Sequence, residues 1–121
     1  MICRLWHGWT TPANADAYEQ LLREEVFVGI ASRGIAGFKG IELLRRTSGG
    51  EVEFVTLMWF ESIDDVRAFA GENYATAVVP APARKILSRF DAESVHYEVR
   101  IPRRPEQASW FASGAPSDGQ G

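Results

Sequence analysis

The sequence predicts an α+β domain of the ferredoxin-like βαββαβ type over residues 2–100. Three observations predict it. Strand-like segments alternate with segments of helical period, a Ser48-Gly49-Gly50 turn joins two long β-type runs, and both helices begin at residues suited to capping.

Ile2 to Trp9 is apolar on both faces, as expected of a strand covered on two sides. Thr11 then serves as N-cap and Pro12 as first helical residue. Tyr18, Leu21, Leu22, Val26 and Ile30 follow at helical spacing, with Asp16, Glu19, Arg23 and Glu24 opposite. Gly34, Gly37 and Gly40 break that pattern, and a second strand is expected from about Phe38 to Thr47. The hairpin turn leads into a third strand, Glu51 to Phe60, rich in β-branched and aromatic residues. Ser62 with Asp65 is close to a capping box and predicts a helix from Ile63 to about Ala70, with Val66 and Phe69 inward. Pro80 and Pro82 start a short helix expected to run through Arg89, carrying Ile86, Leu87 and Phe90 to the core. A fourth strand is expected from Asp91 to Arg100, with Tyr97 in the core. Residues 101–121, rich in Pro and Gly, are expected to be a largely disordered tail, with Trp110-Phe111 as a possible docking point on a neighbouring chain.

At 121 residues, 45% hydrophobic and 24% charged, the chain has the composition of one globular domain. Bulky residues occupy both faces of strands one and three, so the sheet face away from the helices needs a cover, and a homodimer stacked sheet to sheet supplies it. The net charge of −3 comes with scattered basic residues, which argues against a nucleic-acid partner. No apolar run approaches a membrane span, and the start lacks the pattern of a secretory signal. With Cys3 as the one cysteine, no intramolecular disulfide can form, and a cytoplasmic location is expected. The two histidines, His7 and His96, form no metal-binding motif, so no metal is expected.

The segments HGWTTPANADAYEQLL, GFKGIELLRR, VTLMWFESIDDVRAFAG and SVHYEVR resemble the antibiotic biosynthesis monooxygenase domain family of the dimeric α+β barrel group. The resemblance spans roughly residues 2–100 and rests on strand and helix junctions. It implies a dimeric α+β barrel. It also implies a cofactor-free monooxygenase acting on a small aromatic or polyketide-like substrate. The same fold group holds haem-degrading enzymes, enzymes of non-oxidative cyclase, isomerase or lyase type, and small-ligand binders. The haem degraders carry an Asn on strand one, a Trp on the helix after strand three and a haem-ligating His beyond it. Here Trp6 stands at the Asn position, Phe69 falls near the Trp position, and no His occurs between Gly8 and Val95. The quinone-forming members use an Asn, a Trp and a Tyr, residue types supplied by Asn73, Trp59 and Tyr74.

Arg4, Tyr74 and His96 are the candidate catalytic residues. An Arg in the helix-side cleft can hold a phenolate or carboxylate by charge-assisted hydrogen bonds, or can pair with a carboxylate such as Glu98. Tyr74 can donate to a ketone or phenolate oxygen, and His96 can act as a base near neutral pH. Trp6, Trp59, Phe69 and Asn73 are the candidate substrate-binding residues, although Trp6 and Trp59 also suit a core or pocket wall. His7 lies on the opposite strand face, toward the expected dimer interface.

Overall fold

The structure, a computed structural model, describes residues 1–102; the expected tail and the Trp110-Phe111 docking point lie outside the described residues. Strand β1 (Ile2–Thr10) enters a long helical run through the expected cap, with the Asn14 amide donating to Thr11 Oγ1 at 3.3 Å. That run is less uniform than its periodicity suggests. A 3₁₀ turn (Pro12–Asn14) leads into α1 (Ala15–Leu21), a π-helical stretch (Leu22–Val26) and α2 (Phe27–Ser32). The π-helical stretch adds a residue to the turn and rotates everything after it.

β2 (Phe38–Ser48) and β3 (Glu51–Phe60) form the expected hairpin. Gly49 takes φ 63°, the left-handed value that the mirror-image hairpin turns require. α3 (Ile63–Ala70) is capped by Ser62, which accepts from the Asp65 amide, and buries Val66 and Phe69 as expected.

The last third departs from expectation. The short helix α4 (Ala81–Ile86) ends before Arg89, because Leu87 turns extended at ψ 137°. Arg89 and Phe90 already belong to the sheet as β4 (Arg89–Phe90), and β5 (Val95–Glu98) continues along the same edge of β1. The register shows why they are separate: Phe90 pairs with Gly8 and Val95 with Leu5, so residues 91–94 bulge out opposite residues 6–7. The bulge is held from the far side, where the Ala77 amide donates to Ala92 O and the Ser94 amide to Ala75 O. A bulge of this kind re-aims side chains beside a site. Tyr97 falls on the uncovered face and is 55% exposed, contrary to its expected place in the core.

The antiparallel sheet order β2-β3-β1-β4, with β5 also on β1, is the ferredoxin-like arrangement. Even-numbered residues of β1 and β3 face the helices, where Phe54, Met58, Phe60, Gly8 and Arg4 are buried. One core cluster forms around Tyr18, Leu22, Val52 and Phe54, the other around Met58, Phe60, Val66 and Phe69. The opposite face carries Leu5, Trp9, Val55, Leu57 and Trp59, none of them fully buried, with Leu44, Val95 and Tyr97 exposed at its margins. No described helix is long and apolar enough to cross a membrane.

Candidate functional site

Between the helical run and the sheet lies a cleft of about 540 Å³, counted out to its open mouth; the centre of a water molecule reaches about 60 Å³ of it. Leu22, Val26, Ile30, Met58, Phe69 and Val79 give it mostly apolar walls. The π-helical stretch supplies Leu22 and Val26, so the local irregularity of the helix shapes the cleft.

Arg4 lies at the cleft wall and is 4% exposed. Its guanidinium donates from Nη1 to Tyr74 O at 2.6 Å, from Nη2 to Thr76 O at 3.3 Å, and from Nη1 to His96 Nε2 at 2.9 Å. It also sits 5.5 Å from the centroid of the Phe69 ring. No carboxylate among the described residues pairs with it, Glu98 included. Burial alone pushes its pKa below the ordinary arginine value to about 10, so the group remains a cation at neutral pH in a setting that penalises the charge. A guanidinium has five N–H donors and no acceptor, so part of the fork stays unused.

His96 is drawn to Arg4 by strand pairing, since Arg4 and His96 are cross-strand partners on the helix-side face. Because Arg4 only donates, His96 Nε2 must be the lone-pair nitrogen and Nδ1 carries the proton. Burial, followed by the nearby Arg4 charge, holds the His96 pKa below its ordinary value. The imidazole is therefore neutral at pH 7, with its basic nitrogen already occupied.

The sequence-predicted residues converge only in part. Arg4, Trp6 and Phe69 line the cleft. Trp6 is a fixed wall, its Nε1 donating to Asp91 O at 2.7 Å. His96 and Tyr74 are not in the cleft lining; both reach the site through Arg4, Tyr74 by its backbone carbonyl. The Tyr74 ring packs edge-on to His96 at 5.2 Å and lies under the Arg67 guanidinium. Trp59 pairs with Cys3 and so projects from the opposite sheet face, away from the cleft. Asn73 is exposed, and its carbonyl closes the turn that precedes the bulge by accepting from the Thr76 amide. Three polar side chains escaped the sequence reading: Tyr18, Thr56 and Ser94 line the cleft. Strand parity marks Thr56, which shares a face with Phe54 and Met58. Ser94 had no signal, because the bulge that turns it inward depends on contacts with residues 75–77. Tyr18 and Ser94 are 1% and 6% exposed, and neither hydroxyl makes a hydrogen bond among the described residues. Burial raises the Tyr18 pKa, which keeps the phenol protonated and able to donate.

His7 faces the uncovered side as expected, 2.9 Å from Asp91 Oδ2 through Nδ1 and stacked on Trp9. Among the described residues no group of three His, Cys, Asp or Glu side chains is placed to hold a metal ion.

No family model and no curated protein matches the chain. Solved structures do. A Bacillus cereus protein described as an antibiotic biosynthesis monooxygenase superposes with a TM-score of 0.59 at 16% identity, covering 85% of this chain and 96% of its own. Rv0793 of Mycobacterium tuberculosis gives 0.55 at 17% identity, covering 85% and 98%. The heme-degrader MhuD (Rv3592) of the same organism, solved with two hemes in its active site, gives 0.54 at 20% identity, covering 86% and 100%. The chain shares their ferredoxin-like α+β fold.

Among the described residues, the cleft offers a haem iron no histidine ligand. His96 Nε2, the nitrogen that would approach an iron, is held by Arg4.

Proposed function

We propose that the protein is a cofactor-independent monooxygenase-like enzyme that binds a small aromatic substrate as its anion, with Arg4 as the anion-holding group. The observation that carries this reading is a buried guanidinium, with no carboxylate partner among the described residues, at the wall of an apolar cleft. An uncompensated buried charge is costly, and an oxyanion entering the cleft offsets that cost. A substrate of this class supplies its own electrons to oxygen. One oxygen atom enters the ring carbon as a carbonyl, and the other leaves as water with that carbon's hydrogen and the phenolic proton, the phenol ending as a quinone. The protein's part is to stabilise the phenolate or enolate at Arg4, hold the rings against Trp6 and Phe69, and offer Tyr18 and Ser94 to a second oxygen. His96 and the Tyr74 carbonyl position Arg4. Two copies stacked through the Leu5, Val55, Leu57 and Trp59 face complete the arrangement as a homodimer.

Oxygen uptake with a panel of dihydroxyanthracene-type phenols tests the proposal. Consumption that falls sharply in Arg4→Met supports it, and no consumption with any phenol sinks it. A second reading, anion binding without turnover, is favoured because none of the described residues lining the cleft is a carboxylate or a histidine. It predicts saturable binding with no oxygen uptake. A non-oxidative cyclase, isomerase or lyase would instead give a product of unchanged redox state.

A further inference from the structure

Outside the cleft mouth lies a second hollow, where about 330 Å³ is open to the centre of a water molecule, far more than the cleft interior holds. Val26, Ile30, Phe69, Val78 and Pro80 line both, so the two spaces adjoin. The outer space adds two charged side chains, Glu25 and Arg33.

Arg33 approaches Phe69 as Arg4 does. Its guanidinium lies 5.2 Å from the ring centroid, against 5.5 Å for Arg4. Two of its donors are used on the C-terminal carbonyls of α3, Phe69 O and Ala68 O, both at 3.0 Å. The rest of the fork is unspent, and no carboxylate among the described residues pairs with it. Elsewhere Arg23, Arg45, Arg46, Arg67 and Arg89 each have an acidic partner, whereas Arg84 donates to Val79 O and has none among the described residues. Arg4 and Arg33, which line the two adjoining spaces, have none among the described residues either, Arg4 being buried and Arg33 exposed. Both guanidinium carbons lie within 5.5 Å of the same ring centroid, so the two cations flank one aromatic wall.

We propose that the outer hollow is a carboxylate subsite, in which Arg33 takes the acid group of an aromatic substrate whose phenolic oxygen lies against Arg4. The substrate class is thus a hydroxylated aromatic acid, an assignment that rests on the reading of Arg4 as the anion-holding group. A guanidinium fixed by two carbonyls is ordered in advance, and its planar fork matches a carboxylate. Glu25 lines the same hollow but forms no ion pair with Arg33.

The test is a fluorescence titration of the purified protein with 6-hydroxy-2-naphthoate and with its methyl ester, which keeps the rings and phenol but removes the charge. The acid is expected to bind about tenfold tighter, the equivalent of one charge-assisted contact. Arg33→Gln is expected to reduce that preference to under about threefold, Arg33→Lys to restore part of it, and Glu25→Gln to change it by less than Arg33→Gln does. The ester reports folding of each variant. Equal binding of acid and ester by the native protein, or equal weakening of both in Arg33→Gln, overturns the subsite and leaves Arg4 standing. If neither compound binds, the subsite and the Arg4 reading fall together. Acid-selective binding in a protein that consumes no oxygen with any phenol upholds the subsite and removes only the oxidative chemistry.

Discussion

Replacing Arg4 by Met separates a binding cation from a structural strut. Depression of the Arg4 pKa below the ordinary arginine value to about 10 means that holding the charged form in the folded state costs about 3 kcal/mol. Methionine removes that cost but leaves the Tyr74 and Thr76 carbonyls and His96 Nε2 without their donor, at about 1 kcal/mol each at the low end. The two contributions nearly cancel, so the unliganded variant should lie within about 2 kcal/mol of the native protein, less than the 2–5 kcal/mol of a core truncation. The liganded proteins should differ much more. With methyl 6-hydroxy-2-naphthoate at 100 times its native Kd, the native protein gains about 2.7 kcal/mol. Loss of a hydrogen bond to a charged group, about 1.5–3 kcal/mol, weakens binding by roughly tenfold or more and cuts that gain to about 1.4 kcal/mol or less. At roughly 4–8 °C per kcal/mol for a domain of this size, thermal melting should show a ligand-induced shift at least about 5 °C smaller in the variant. Equal ligand shifts in the two proteins would refute Arg4 as the anion-holding group. A loss above about 4 kcal/mol without ligand would make it a strut.

Three further outcomes are expected. The folded state holds the His96 pKa below its unfolded value, so the unfolded chain binds more protons as pH falls below the ordinary histidine range. Stability should therefore decrease through that acid window by denaturant titration, and His96→Asn should flatten the decrease. Leu57→Glu, on the uncovered face, should leave a folded monomer where the native protein runs as a dimer in light scattering; a native monomer would remove the sheet-to-sheet pairing. Gly37→Ala should destabilise by about 1–3 kcal/mol in denaturant melts, because a Cβ there collides with the Asp65 carboxylate that Ser62 holds at the start of α3; a neutral effect would show that Asp65 rotates away freely.

Local chemistry decided much of this molecule before any tertiary contact. Thr11-Pro12 and Ser62 start helices, and Ser48-Gly49-Gly50 turns the hairpin, because capping and positive-φ turns need only neighbouring residues. The period-2 pattern of β1 and β3 likewise carried Arg4 and Trp6 to one face and His7 to the other. Strand parity placed Trp59 opposite Phe60 and hence off the cleft, but which face meets the helices is a matter of packing, and the residues of β3 are apolar on both. The two-residue excess in the fourth strand, which turns Ser94 inward, arises from hydrogen bonds to residues 75–77, far away along the chain. The role of His96 was likewise hidden. Its type suggests a base, but cross-strand pairing sets its lone pair against a guanidinium. Sequence determines what each residue can do locally; only the packed sheet, by choosing neighbours across tens of residues, decided that Arg4 is buried against two carbonyls and a histidine, with no carboxylate partner among the described residues.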